Sequence, residues 1–205
     1  MTPCARQPRR APSRRSRFTT GRPAQRSLAT AEHFVARLAQ AAIGETFNFY
    51  RDGERAGLRR ERLARYLDAR QGAPFLLVGE AAGYRGARMS GIAFTSERQL
   101  TDGDPAEASA TIVHRVLGEL GLEDDILLWN LVPTHPHLRG RPDTNRRPTR
   151  AEIEESRFFL AELARGRRVI AVGRLAQAVL GGAYVRHPSH GGAHGFRADL
   201  ARYQG

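Results

Sequence analysis

The sequence predicts a single α/β domain with three layers, α/β/α, around a central sheet of four mainly parallel strands. A length of 205 residues with 40% apolar side chains suits one core of that size. Four short apolar runs are typical of strands that are buried on both faces. Helical patterns separate these runs, and strands that are joined through helices form parallel sheets with right-handed crossovers.

The predicted elements alternate along the chain. Before the first strand, Thr30 is a candidate N-cap for a helix that contains Phe34 and Leu38, and a second helix contains Leu63 and Leu67. The predicted strands are residues 75–78, 126–131, 169–172 and 183–185. The helical patterns that follow these strands cover about 106–120, 149–165, 174–180 and 195–203.

The first 30 residues differ in composition from the rest. They contain eight arginines, no acid and few large apolar side chains, so we predict a disordered arginine-rich leader over 1–30 and a folded domain over 31–205. The leader could attract phosphates, could resemble an organellar transit peptide, or could reflect a start codon placed too far upstream. Residues 126–205 carry a formal charge of +7, which suits a polyanionic partner such as nucleic acid.

Composition excludes several kinds of chemistry. All 33 basic residues are arginine, so no lysine is present to form a Schiff base. Cys4 is the single cysteine, which excludes a disulfide framework, a four-cysteine zinc site and a cysteine-ligated iron–sulfur cluster within the chain. No apolar stretch is long enough to cross a bilayer and no secretory signal is visible, so we expect a cytoplasmic protein.

Polar side chains follow three of the predicted strands. In an open parallel sheet, ligands bind outside the carboxyl ends of the strands. An acid (Glu80), an amide (Asn130) and an imidazole (His187) therefore arrive at the same edge of the sheet. The glycine-rich stretch around Glu80 fits neither the dinucleotide fingerprint nor a phosphate-binding loop.

These segments resemble the motifs of a known family. The run 79–83 (GEAAG), followed by 90–94 (SGIAF), is similar to the first motif of the uracil-DNA glycosylase superfamily, especially its family-4-like bacterial branches. The runs 128–130 (LWN) and 145–149 (NRRPT) resemble its second strand and the basic segment that follows. The run 187–189 (HPS) resembles its last motif. The resemblance implies a DNA repair glycosylase that hydrolyses the N-glycosidic bond of uracil, leaving an abasic site and free uracil.

The resemblance also implies roles for individual residues. His187 would hydrogen-bond uracil O2 and steady the leaving anion, and Glu80 would position water or stabilise the cationic sugar. Asn130 would donate to O4 and accept from N3–H, which rejects cytosine. Phe94 would stack on the extruded base, a contact of about 1–3 kcal/mol. Further implied uracil contacts are Gly79, Ala81 and Tyr84, and implied DNA contacts are Ser189, His190, His194, Arg146 and Arg147.

The sequence departs from the family pattern at several positions. Ala82 stands where proline is usual, and no acid lies near Gly86, where one commonly helps to exclude the thymine methyl group. Gly191 stands where an apolar wedge would fill the vacated base stack, so His190 or His194 could take that role, or the enzyme could prefer single strands.

Structural roles are the alternatives for the same side chains. Glu80 could cap backbone N–H groups, Asn130 could satisfy a loop, and His187 and Phe94 could belong to the core. The arginines of 139–150 could track phosphates or lie on a solvated loop. A sister glycosylase for hypoxanthine and a non-catalytic nucleic-acid-binding relative are the other candidate functions.

The expected partners and cofactors follow from the same reasoning. We expect a monomer that acts on uracil-containing DNA, single- or double-stranded, without a metal or other cofactor. No further candidate metal ligand accompanies His135 and His137 in the sequence, which argues against a metal site there. Because the chain has no lysine, we expect a monofunctional enzyme that leaves the abasic strand intact.

Overall fold

A four-stranded, all-parallel sheet forms the centre of the computed structural model, which describes residues 22–204. The strands are β1 (Phe75–Ala81), β2 (Ile126–Val132), β3 (Arg168–Val172) and β4 (Ala183–Val185), and their order across the sheet is β2-β1-β3-β4. In register, Leu77 of β1 pairs with Leu128 of β2 and with Ile170 of β3. With helices on both faces of the sheet, the predicted three-layer fold is confirmed.

Eight helices and a short 3-10 turn complete the described part of the chain. They are α1 (Arg22–Gln40), α2 (Ala56–Ala69), α3 (Ala87–Ser90), α4 (Arg98–Thr101), α5 (Ala108–Leu120), α6 (Arg150–Ala164), α7 (Arg174–Leu180) and α8 (Ala193–Leu200), with the 3-10 turn at Ala201–Tyr203. The predicted longer helices are confirmed within a few residues. The sequence did not predict α3 and α4, because one turn of helix is too short to show a periodic pattern.

The predicted start of the first helix at Thr30 is wrong. Helix α1 begins at Arg22, so the boundary drawn between leader and domain falls inside a helix. The side chain of Leu28 packs against the core, and Ala31 is buried within it, which explains why the helix extends past the predicted cap. The rest of the leader, residues 1–21, lies outside the described residues.

Alternate residues of the central strand enter different layers of the core. Leu76 and Val78 pack with side chains of α1, α2, α6 and α7 on one face of the sheet. Leu77, between them, packs with side chains of α5 and α8 on the other face. Each strand is therefore covered on both sides, as its continuous apolar run predicted. Among residues 22–204, no helix combines the length and the hydropathy that crossing a membrane requires.

Candidate active site

A cavity of about 360 Å³ opens at the carboxyl edge of the sheet. It brings together seven of the residues that the sequence singled out: Glu80, Ala81, Phe94, Asn130, Arg146, His187 and His190. The end of β1 and the segment that follows it, the end of β2 and the loop after β4 supply most of these side chains. The cavity therefore lies where ligands bind in open parallel sheets.

Asn130 presents a buried amide group to the cavity. Its side chain belongs to β2 and its residue is 5% exposed. Within residues 22–204 the amide has no hydrogen-bond partner from another side chain or from the backbone, although it lines the cavity. The amide atoms are not among the fully buried, unpaired atoms of the described chain, because the group opens onto the cavity, where water or a ligand can bind it. A ligand that offers one donor and one acceptor would satisfy this amide.

Phe94 lines the cavity and has a strained backbone conformation. Its φ is 51°, a value that costs a non-glycine residue on the order of 1–3 kcal/mol. The Ser90 hydroxyl donates to the Thr95 carbonyl at 2.7 Å, and the Thr95 hydroxyl is bonded to His114 Nε2 at 2.9 Å. These bonds on either side of Phe94 hold its ring in place. The ring centroid lies 6.5 Å from that of His187.

Gly79 makes room for this arrangement. It pairs in register with Asn130, and a Cβ built on it would overlap the ring of Phe94 and lie 2.8 Å from Asn130 Oδ1. Glycine is thus required by close approach, because any side chain would push the aromatic ring and the amide apart. The missing side chain at Gly79 therefore leaves the space in which Phe94 and Asn130 line the cavity.

Glu80 is a half-buried carboxylate at the end of β1. Desolvation by burial raises its pKa, and the charge of Arg147 acts in the opposite direction. No hydrogen bond to the carboxylate is made by another group in the described part of the chain. Its alternative role as a cap of backbone N–H groups is therefore not seen in the structure, and both oxygens are free to bind a ligand or water.

His187 is held as a neutral imidazole. The Ser189 backbone N–H donates to Nδ1 at 3.2 Å, so Nδ1 carries no proton and the ring proton is assigned to Nε2. Burial, and to a smaller extent the charge of His190, lowers the pKa of His187. Near neutral pH, His187 therefore offers an Nε2–H donor without a positive charge.

Glu107 is a cavity residue that the sequence did not single out. It precedes α5, and its carboxylate lies against the loop after β1, where a Cβ on Gly83 would be 2.5 Å from Oε1 and a Cβ on Gly86 would overlap Oε2. Within residues 22–204 the carboxylate has no hydrogen-bond or salt-bridge partner, and burial raises its pKa. An acid thus reaches the vicinity of Gly86 from a distant segment. The only signal was an acid at the start of a predicted helix, which is more often a favourable charge for the helix dipole.

Two neighbouring arginines of the basic segment have different environments. Arg146 lines the cavity, but its guanidinium is paired with the buried carboxylate of Glu152 at 2.8 Å. Glu152 in turn forms a capping box with Thr149 at the start of α6. Arg147 is exposed and acts electrostatically on Glu80. Arg146 therefore anchors the segment, while Arg147 forms no ion pair with another described residue.

Three further predicted residues do not line the cavity. Tyr84 packs with the Arg88 guanidinium, 4.5 Å from its ring, and donates its backbone N–H to Asn145 Oδ1 at 2.8 Å. Ser189 contacts His187 and His190 through its hydroxyl. His194 is exposed on α8. Among residues 22–204 no three His, Cys, Asp or Glu side chains are grouped as metal ligands.

His135, although buried, has contacts typical of a structural residue. Its Nδ1 lies 2.9 Å from the carbonyl of Ala82, and its Nε2 lies 3.2 Å from that of Pro142. The ring thereby ties the loop after β1 to the segment that leads into the basic run. His137 stacks on it with a centroid distance of 5.8 Å.

The fold and the cavity define an α/β/α protein in which an acid, an amide and an imidazole line one cavity. A model of the uracil DNA glycosylase superfamily matches residues 67–201, more than half of the chain, and the protein belongs to this superfamily. The predicted family is thus confirmed, and with it the broad class of DNA glycosylase.

A solved structure supports the same fold. The crystal structure of wild-type SMUG2 from Pedobacter heparinus aligns with a TM-score of 0.60 at 12% identity, covering 84% of this chain and 95% of that one. At this identity the likeness concerns the fold. No curated protein matches the chain.

Proposed function

We propose that this protein hydrolyses the N-glycosidic bond of uracil in DNA and releases free uracil. The observation that carries the proposal is the amide of Asn130, which faces the cavity without a protein hydrogen-bond partner among residues 22–204. Uracil offers that amide an acceptor at O4 and a donor at N3–H. Cytosine offers an amino donor and an unprotonated N3, so both hydrogen bonds would be mispaired and the base rejected.

The other cavity residues would complete the binding of an extruded base. The ring of Phe94 would stack on the uracil, a contact that is insensitive to base identity and worth about 1–3 kcal/mol. His187 Nε2–H would donate to O2, on the same side of the ring as N3. Extrusion of the nucleotide is needed because the glycosidic carbon cannot be reached inside a duplex.

Bond cleavage places negative charge on the base. The C1′–N1 bond breaks with its electron pair leaving on uracil, and this charge spreads to O2, where the donor His187 stabilises it. A neutral donor suits this task, because its hydrogen bond strengthens as the charge develops while the substrate is not over-stabilised in the ground state.

Water completes the hydrolysis at the sugar. Glu80, ionised and without a hydrogen-bond partner in the described chain, would orient a water molecule towards C1′ and stabilise the positive charge that develops on the sugar. Water adds to C1′, and its proton passes to Glu80 or to solvent. The products are an abasic strand and the uracil anion, which then takes up a proton.

The strand should stay intact after base release. Glycosylases that also nick the backbone form a Schiff base through an amine, and this chain has no lysine side chain. We therefore propose a monofunctional hydrolase. Sodium hydroxide treatment of the product should be required before the strand breaks.

Incubation with end-labelled single strands that contain one uracil tests the proposal. We expect strand breakage after alkali for the uracil strand and none for the cytosine strand. The cavity of about 360 Å³ also leaves room for a larger deaminated base. A hypoxanthine strand therefore belongs in the same experiment, and cleavage of that strand alone would assign the sister specificity.

Asn130→Asp links the activity to the site. A carboxylate cannot donate to O4, so uracil release should fall by about two orders of magnitude. Asn145→Asp is the matched control, since Asn145 lines the same cavity and its Oδ1 acceptor for the Tyr84 N–H is retained. Absence of abasic product from all three strands would exclude both enzyme functions and favour a non-catalytic nucleic-acid-binding protein.

A further inference from the structure

A chain of hydrogen bonds links His187 to a second histidine. His187 Nδ1 lies 2.8 Å from the Ser189 hydroxyl oxygen, and that oxygen lies 2.9 Å from His190 Nδ1. The Ser189 hydroxyl thus stands between two imidazoles, and both rings line the same cavity. The proposed reaction uses Nε2 of His187 and gives no role to this chain of hydrogen bonds.

The single proton of the hydroxyl can serve one ring at a time. If His190 carries a proton on Nδ1, it donates to Ser189 Oγ, and the hydroxyl then donates to His187 Nδ1. If His190 Nδ1 is unprotonated, the two rings compete for the hydroxyl proton. Donation to His187 Nδ1 strengthens His187 Nε2–H as a donor, because hydrogen bonds in a chain polarise one another.

The backbone places His190 in this position at a cost. His190 has a φ of 53° and Gly191 a φ of 74°, so two successive residues are left-handed. The Gly192 N–H closes the turn by donating to the Ser189 carbonyl at 3.0 Å. Only three non-glycine residues among 22–204 have a positive φ, and two of them, Phe94 and His190, line the cavity. Such strain concentrates at functional sites.

We propose that His190 is a positioning residue for His187 and acts through Ser189 to strengthen the hydrogen bond that stabilises the departing base. The inference rests on the proposed glycosylase function. Removal of the His190 imidazole should therefore slow base release.

Other charged groups also face this cavity. Glu80 and Glu107 are its acids and Arg146 its arginine, and His187 is the remaining titratable ring. Protonation of Glu80 would lower the rate in acid. The rates of the wild type and of each variant must accordingly be compared at the same pH.

His190→Asn separates the side chain from the backbone turn. Asparagine adopts positive φ more readily than most residues, so the turn is retained, and its side chain does not titrate. In single-turnover uracil release at one fixed pH, H190N should be about tenfold slower than the wild type, because the imidazole that bonds the Ser189 hydroxyl is lost. His33→Asn is the matched control, since His33 is exposed on α1 and does not line the cavity, and it should follow the wild type.

A double-mutant cycle tests whether the effect passes through Ser189. S189A keeps the backbone N–H and removes the hydroxyl, so the S189A/H190N double variant should be no slower than S189A alone. A wild-type rate in H190N, or losses that multiply in the double variant, would overturn the proposal.

The nitrogen-15 signals of the His187 ring provide a readout that does not need activity. In the free protein at one fixed pH, the His187 signals of H190N should differ from those of the wild type, whereas S189A and S189A/H190N should give the same His187 signals. If the wild type releases no uracil, the proposed function fails, while this measurement still decides whether the two rings are coupled. Identical His187 signals in wild type and H190N would exclude the coupling.

Discussion

Gly79 and Asn130 are register partners on neighbouring strands, and the amide Oδ1 lies 2.8 Å from the position that a Cβ on Gly79 would occupy. The same Cβ would overlap the ring of Phe94. The absence of a side chain at Gly79 thus allows the amide of Asn130 and the ring of Phe94 to approach the same point of β1.

Gly79→Ala should therefore abolish most activity while the fold is retained. The methyl group would displace Phe94 or Asn130 by around 1 Å, and a misplacement of that size can cost about 100-fold in rate. Single-turnover uracil release measures the loss, and thermal unfolding verifies that the protein is folded. Gly72→Ala is a suitable control, because a Cβ there meets no atom within 4 Å. Full activity in G79A would show that the close approach of Phe94 and Asn130 to Gly79 is not needed for activity.

Arg147→Gln should shift the acid limb of the pH–rate profile to higher pH. The charge of Arg147 opposes the desolvation that raises the pKa of Glu80, so its removal raises that pKa further. Glu80 would then lose its charge at a higher pH, and the rate would begin to fall earlier as the solution is acidified. Arg150→Gln, another exposed arginine nearby in sequence, controls for the loss of a positive charge. Coincident acid limbs in R147Q and R150Q would contradict the link to Glu80.

Arg146→Gln should destabilise the protein, unlike Arg147→Gln. Glu152 is only 2% exposed, and removal of its guanidinium partner leaves a buried carboxylate that only the N-terminal groups of α6 still satisfy. Breaking a buried ion pair of this kind costs about 3 kcal/mol. Chemical denaturation of the two variants gives the comparison. Equal stability of R146Q and the wild type would show that the pair contributes little to folding.

Glu107→Gln should stabilise the protein at neutral pH. Burial raises the pKa of Glu107, so in the folded state the ionised form is disfavoured relative to the unfolded chain. The destabilisation is present above the folded-state pKa and disappears as the pH falls through it towards the unfolded value of about 4.3. The free energy of unfolding of E107Q should thus exceed that of the wild type at pH 7 and approach it near pH 4. A constant difference across this range would mean that ionisation is not the cause.

Glu107→Ala should also change the choice of base. The carboxylate fills space beside Gly83 and Gly86 in the cavity wall, and its removal enlarges the cavity on that side. Bases with a substituent, such as thymine opposite guanine, should then gain relative to uracil by up to about tenfold, the scale of one methyl group in a pocket. An unchanged ratio of thymine to uracil release would place Glu107 away from the bound base.

Much of the fold and part of the site could be predicted from local patterns. Continuous apolar runs identify the four strands, because a strand covered on both faces has no polar side. Once the sheet is parallel, the carboxyl ends share an edge, and Glu80, Asn130 and His187 must lie near each other. The start of α1 was misjudged at Thr30, because a composition rich in arginine masks the few apolar contacts, such as that of Leu28, that extend the helix.

The sequence by itself determined the sheet, the edge where the cavity opens and the family to which the chain belongs. The tertiary structure alone decided that Glu107 reaches the loop after β1, that Arg146 is committed to Glu152 while Arg147 is free, and that His190 turns back towards Ser189. The physical reason is that strand and helix patterns depend on neighbouring residues. The placement of a carboxylate, the pairing of one arginine and the positive φ of a histidine depend on packing between segments that are distant in the chain or on turns with no periodic signal.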